Sequence, residues 1–346
     1  MINLKKILNN FKKKLIYKLF VKYILKNIYD FIWQYILNFK GKILFFKWMK
    51  KNSNDYFCKN IPCEVINEKF ETFSKEIKDQ IDNNLIDKLK TKLISNEIIE
   101  DKKNIAANEM PFSVDLYPYL EENVKTKIVQ FALNKNMISS VCHHLKVFPI
   151  LAKVMVYLNI PRENSNERSA MLWHKDDFGY KSIDFFMSIN EIDDDNGPFY
   201  YSVDPSDIGA FYRIKTTNEL SRPGERGKIK NEDFFNYCSK KNIKKFVGKP
   251  GSAVFIDSMA SYHKGGFCKK NDRIMLRFSY QTVDCIRLKN QKSKEFYYLK
   301  NLDKISFPQE FKDYIFFHRS SVFKNFVNNY LLKFYRLASI TPKKIN

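Results

Sequence analysis

Five histidines occur in the chain, at 143, 144, 174, 263 and 318. Two of them have neighbours that suit metal chemistry. His174 and Asp176 stand at i and i+2 within Trp173-His174-Lys175-Asp176-Asp177. In an extended segment these two side chains project to one face, while Asp177, at i+3 from His174, projects to the other. One face then presents an imidazole and a carboxylate to a single ion. A third ligand must come from another strand. His263 stands 87 residues after Asp176, within Ser261-Tyr262-His263-Lys264-Gly265-Gly266. Two histidines and a carboxylate on one side of an octahedron leave three positions open. That arrangement suits Fe(II) with a bidentate co-substrate and O2.

Arg273 follows ten residues after His263. Its planar fork makes two parallel hydrogen bonds to a carboxylate, so it is the expected anchor for the acid end of a co-substrate. Arg277 shares its face in a strand and is the alternative anchor, expected farther from the metal. The adjacent pair His143-His144 cannot face one ion from a strand and reads as structural. His318 stands among aromatics and reads as a packing or surface residue.

These residues need strands to hold them, and the sequence supplies five short candidates. They are Lys153–Asn159, Ile183–Ile189, Phe199–Val203, Ala253–Ile256 and Ile274–Tyr280, bounded by Gly, Pro, Asn and Asp as in a sandwich or jelly roll. Asn196-Gly197-Pro198 marks a turn between two of them. Ahead of the strands, Phe70, Phe73, Ile77, Ile81, Leu85, Leu89 and Leu93 recur at threes and fours, the spacing of one helix face. Leu116, Leu120, Val124, Ile128 and Phe131 predict a second helix over 115–137. Residues 204–247 read as an insertion, either a lid or a solvated loop, with a helical stretch Asn231–Lys241. Phe311 to Leu337 reads as helical again.

The chain carries 60 Lys and Arg against 38 Asp and Glu, a formal charge of +22. Part of this follows from a composition rich in Lys, Asn, Ile, Phe and Tyr together. The charge is nevertheless concentrated. Residues 1–50 hold twelve lysines and one acid, Asp30. Lysines interleaved with Phe31, Trp33, Tyr35, Phe39, Phe45, Phe46 and Trp48 suit the boundary of an anionic membrane. The alternative is a pair of helices packed on the catalytic domain or on a partner. No apolar run is long enough to span a bilayer, and no signal peptide is read. The cysteines at 58, 63, 142, 238, 268 and 285 follow no zinc-site spacing, and imply a reducing, cytoplasmic setting.

Trp173-His174-Lys175-Asp176, Phe185–Ile192 and Asp195-Asn196-Gly197-Pro198-Phe199 together resemble the phytanoyl-CoA dioxygenase-like group of Fe(II)/2-oxoglutarate oxygenases. Gly251–Asp257, His263-Lys264-Gly265-Gly266 and Arg273–Leu276 continue the match in order, over roughly residues 150–284. The resemblance implies an α+β fold, a double-stranded β-helix (cupin-like jelly roll) with flanking helices. It implies iron held by His174, Asp176 and His263, 2-oxoglutarate held by Arg273, and O2 as oxidant. Two departures are visible. Tyr201–Ser206 stands where such proteins often carry a Pro-Gly-Ser-His turn, and Met171 stands where many carry a polar residue facing the co-substrate. Asp176 separates the chain from related halogenases, which lack that carboxylate, and favours hydroxylation or a related oxidation.

The expected organisation is a basic helical extension over 1–55, a helical support region over 56–145, the oxygenase core over 146–287 and a helical segment over 288–346. The expected substrate is a small molecule, or one linked to lipid or glycan. The expected location is cytoplasmic, peripheral at a membrane through residues 1–50. Rival readings are a non-catalytic jelly roll that serves as a scaffold, and an oxygenase directed at nucleic acid. The latter would place Lys and Arg around the pocket mouth rather than in residues 1–50.

Overall fold

A computed structural model describes residues 38–103, 113–161, 167, 169–176, 181–203, 228–236, 238–282 and 302–316. The helical readings for residues 1–37 and 317–346, Asp177, His318 and residues 204–227 lie outside the described residues.

The described chain begins with helix α1 (Asn38–Asn52), strand β1 (Cys63–Val65), helices α2 (Glu68–Lys78) and α3 (Asn83–Lys103), and strand β2 (Ser113–Asp115). Helices α4 (Glu122–Ala132) and α5 (Lys135–Leu145) follow. The strands are then β3 (Ile150–Asn159), β4 (Ser182–Ser188), β5 (Phe199–Ser202), β6 (Ile243–Phe246), β7 (Ala253–Ile256), β8 (His263–Lys264) and β9 (Arg273–Gln281), with helix α6 (Asn231–Phe234) before β6 and α7 (Gln309–Ile315) at the end.

The strands form two antiparallel sheets. The larger has the order β1-β7-β4-β9-β3-β2 and the smaller β6-β5-β8. An isolated bridge from His174 to His263 extends the smaller sheet, and a bridge from Trp173 to Ile229 adds a further segment. From β3 onward the chain alternates between the sheets. It runs larger, smaller at His174, larger, smaller twice, larger, smaller, larger. This is a double-stranded β-helix, the jelly roll expected from the sequence.

Strand alternation explains how polar groups enter such a core. Along β4, Ile183, Phe185 and Met187 point to the helical side, and Asp184, Phe186 and Ser188 to the smaller sheet. All seven residues of β4 are buried because both faces are covered. Along β9, Ile274, Leu276, Phe278 and Tyr280 join the helical side, and Arg273, Met275 and Arg277 face inward. On the helical side Phe70, Phe131, Phe255 and Phe278 surround Phe185 at centroid distances of 5.7, 6.2, 5.0 and 5.6 Å. Each fully buried Phe contributes roughly 1.5–3 kcal/mol by leaving water. Inside, Phe186, Val254, Ile256 and Met275 of the larger sheet meet Phe199, Tyr201 and Phe246 of the smaller.

Several boundaries differ from the sequence reading. The expected single face from Phe70 to Leu93 is two helices, broken at Asp79–Asp82, where the Asp82 carboxylate accepts the Asn84 amide at 2.8 Å. The expected helix over 115–137 starts later. Leu116 and Leu120 precede α4, and Asn134 caps α5 by accepting from the Asn136 amide. The helix expected over Asn231–Lys241 is only the single turn of α6, followed by a 3-10 turn at Lys240–Asn242. Within 204–247, β6 pairs with β5, so that end of the stretch belongs to the smaller sheet. Cys58 and Cys63, which follow no zinc-site spacing, are joined as a disulfide with their Cα atoms 6.6 Å apart, against the reducing setting read from the cysteine pattern. No helix among the described residues is long and apolar enough to cross a membrane.

Candidate metal centre

His174 and His263 lie directly opposite each other and exchange both backbone hydrogen bonds, at 3.0 and 2.9 Å. Opposed residues of a ladder share a face, so both imidazoles point into the core, with ring centroids 4.4 Å apart. Asp176 reaches the same point from a segment that is not a strand. Its amide donates to the Ser258 carbonyl at 2.8 Å. The i, i+2 strand geometry expected for His174 and Asp176 is thus replaced by a cross-strand histidine pair and an anchored loop. The three side chains nevertheless come together. One donor atom from each of His174, Asp176 and His263 lies within 4.8 Å of the others.

The backbone selects the imidazole nitrogens. His174 Nδ1 lies 2.7 Å from the Leu172 carbonyl, and His263 Nδ1 lies 3.1 Å from the Ser261 carbonyl. A carbonyl only accepts, so Nδ1 carries the proton in each ring. Both Nε2 lone pairs are left to face Asp176, at 3.8 Å from Oδ1 and 4.0 Å from Oδ2. Burial, and then the neighbouring His263, pull the pKa of His174 down to about 3, so the ring is neutral at neutral pH, the form a metal would require.

Arg277 holds the carboxylate. It donates from Nε and Nη2 to Asp184 at 3.0 and 2.9 Å, and from Nη2 to Asp176 Oδ2 at 3.2 Å. Burial opposes its charge, but Asp184, Tyr157 and Asp176 outweigh that and keep the guanidinium well above its ordinary value. Burial likewise opposes ionisation of Asp176. The charges of His263, Arg277 and His174, the two rings acting only when protonated, overcome it and hold the carboxyl below the usual range. Arg277 therefore touches a ligand directly, contrary to the expectation that it would sit farther away. It is committed to two carboxylates and is not the alternative anchor.

Arg273 is placed otherwise. It opens β9 opposite Asn159 of β3 and is 6% exposed. Asn159 Oδ1 accepts from Nε at 3.4 Å and from Nη2 at 3.2 Å, while buried Nη1 has no hydrogen-bond partner among the described residues. Burial lowers its pKa, with Cys268 opposing. Among the described residues this buried guanidinium is served by an amide oxygen and no carboxylate, so nothing there offsets the desolvation of its charge. Gly265 leaves room beside it, since an added Cβ would stand 3.5 Å from Nη2.

Support comes from the outer side of the smaller sheet. Trp173, next to His174, points away from the ligands. It stacks on Phe234 at 4.2 Å and donates from Nε1 to Asn231 at 2.9 Å. Lys264, next to His263, is also buried there, paired with Glu167 and donating to Asn231 at 2.8 Å. His143 and His144, read as structural, sit on helix α5 and belong to no metal-binding cluster among the described residues. His144 Nε2 lies 3.0 Å from Asp257, and His143 packs edge-on against Tyr56.

The sequence reading missed Asp184, Asn159 and the role of Arg277. A charge inside the apolar run Ile183-Asp184-Phe185-Phe186-Met187 was the available signal, since a buried carboxylate requires a cation.

No protein-family model and no curated protein matches the chain. Among solved structures it is similar to EvdO2 from Micromonospora carbonacea var. aurantiaca, at 15% identity and TM-score 0.24, over 37% of this chain and 51% of that one. It is also similar to the non-heme alpha ketoglutarate dependent epimerase SnoN from nogalamycin biosynthesis, at 14% identity and TM-score 0.29, over 49% and 60%. A third is EctD from S. alaskensis, at 13% identity and TM-score 0.35, over 67% and 76%. The match spans about half the length of EvdO2. At such identity and overlap the candidate metal centre stands on its own geometry.

Proposed function

We propose that the chain is an Fe(II)/2-oxoglutarate-dependent oxygenase that hydroxylates a small organic substrate, free or linked to lipid or glycan. One observation carries the reading. A set of two Nε2 atoms and a carboxylate shares the jelly-roll interior with a buried arginine whose Nη1 has no hydrogen-bond partner among the described residues. The first group fits a divalent metal with open positions, and the second fits the distal carboxylate of a dicarboxylic co-substrate. Bound iron supplies the activation of O2, a chemistry outside the reach of any side chain.

The protein's share is position and exclusion of water. The Leu172 and Ser261 carbonyls hold both imidazoles as Nε2 donors. Arg277 and the Ser258 carbonyl fix Asp176. Arg273 takes the far carboxylate, with Asn159 orienting its fork. Phe186, Phe199, Val254, Ile256 and Met275 close the interior to solvent. The clustering of lysine in residues 1–50 favours a substrate presented near an anionic surface over nucleic acid read at the pocket mouth.

Anaerobic titration of Fe(II), followed by 2-oxoglutarate, tests this. Native protein should bind one iron and then develop a visible charge-transfer absorption on adding 2-oxoglutarate. His174→Ala should lose the iron. Equal iron binding by His174→Ala, or 2-oxoglutarate binding untouched by Arg273→Met, would remove the basis of the proposal.

A further inference from the structure

Helix α1 packs by one face only. Leu44 and Trp48 are buried, and Gly41 lies where an added Cβ would strike Val147 and the Tyr314 hydroxyl. Trp48 donates from Nε1 to Ser139 at 2.9 Å and sits edge-on to Phe311 at 5.1 Å. Opposite this face, Phe39, Ile43 and Phe46 stand at i, i+4 and i+7 and are 62%, 43% and 69% exposed. A single exposed apolar residue is ordinary, but an aligned row of three on one helix is not.

Exposed lysines flank the row on both sides, with Lys42 on one and Lys40 and Lys47 on the other, and Lys50 at its end. Lys47 is also bonded across the surface to Glu310, at 3.0 Å. The same charge extends along the chain. Residues 1–37 carry eight lysines, with Asp30 as their only acid.

We propose that the outward edge of α1 docks on an anionic lipid bilayer. The rings of Phe39 and Phe46 and the aliphatic chain of Ile43 enter the acyl boundary, and the lysines meet phosphate headgroups. Two other occupants fit less well. A second copy on the same row would bring lysine against lysine. Nucleic acid would use the lysines and the rings, but gives Ile43 no partner. The surface lies on α1, outside the metal centre, so docking does not depend on the iron reading.

Flotation of the full chain with phosphatidylcholine vesicles, with and without phosphatidylglycerol, tests the proposal. Native protein should float with the anionic vesicles. Replacing Phe39, Ile43 and Phe46 together by Ser should weaken partitioning by about tenfold or more, with an unchanged thermal midpoint, since all three are exposed. Replacing Lys40, Lys42 and Lys50 together by Gln should weaken the preference for phosphatidylglycerol, and an unchanged preference would remove these lysines from the docking surface. Three outcomes would overturn it. Native protein could fail to float. The Ser variant could float like the native chain, which would assign binding to charge alone. Or native protein could form a dimer that the Ser substitutions abolish, which would assign the row to a second copy.

Discussion

Two arginines four residues apart on β9 face one interior and have different work. Arg277 is saturated by Asp184 and Asp176, and Arg273 is not. Arg273→Met should therefore raise the dissociation constant for 2-oxoglutarate by about 100-fold or more, the scale of a lost charge-assisted pair, while the protein stays folded and binds iron. Arg273→Lys should rescue little, because an ammonium cannot form the two parallel bonds of the fork. Isothermal titration on the iron-loaded protein checks both. Arg277 behaves differently, because removing it strands a buried carboxylate. Arg277→Met should cost about 3–5 kcal/mol in a urea unfolding titration. Combining it with Asp184→Leu removes the stranded charge and should recover most of that stability. The double variant still leaves Asp176 without its donor, so iron affinity should stay about 10–100-fold below native. Native affinity in the double variant would show that Arg277 serves the fold only.

At the scale of elements, the two faces of the jelly roll carry separate duties. Phe185 on β4 packs against Phe70, Phe131, Phe255 and Phe278, away from the ligands. Phe185→Ala should cost about 3–5 kcal/mol while leaving iron affinity near native under folding conditions. Phe234 stacks on Trp173, the residue before His174. Phe234→Ala should lower iron affinity by about tenfold through a loosened His174 segment, at a smaller cost in stability. If iron dissociation were unchanged in Phe234→Ala, the outer layer would not position the ligand. The same division explains what was legible in the sequence. Strands β3, β4, β5, β7 and β9 could be read because burial on both faces enriches them in Val, Ile, Phe and Met. The two-residue β8 and the four-residue β6, Ile243-Lys244-Lys245-Phe246, carry too little apolar pattern to show. Their pairing is fixed by β5, which no local signal encodes. The break at Asp79–Asp82 was hidden because the apolar spacing continues through Ile81. The ligands could be read because only five histidines occur and two stand in motif-like surroundings. The clamp of Arg277 on Asp184 could not, since it joins strands 93 residues apart.

For the whole molecule, the buried ligand set couples folding to pH. His174 has a folded pKa near 3, against about 6.5 for an exposed imidazole. Above about pH 6.5 the ring is neutral in both folded and unfolded chains, so it adds no pH dependence. Between about 6.5 and about 3 the unfolded chain binds a proton that the folded chain does not. Stability of the iron-free protein must therefore fall as pH falls through that window. Asp115 works in the opposite direction. Burial raises its pKa to about 6, despite the Tyr117 and Val156 amides that donate to it, so it favours the folded state as pH falls from about 6 toward 4. A single acid-unfolding curve mixes the two effects, and a difference between variants separates them. His174→Asn cannot take up the proton in either state. Its iron-free stability should lose less than the native protein's between about pH 6.5 and 4, and Asp115→Asn should lose more. Iron sharpens the native curve, since each proton on a ligand competes with the metal. Urea titrations at stepped pH, with and without Fe(II) under anaerobic conditions, give all the slopes. Parallel curves for native protein and His174→Asn without iron would mean that His174 is solvated, and would separate it from the buried centre that Asp176 and His263 form with it.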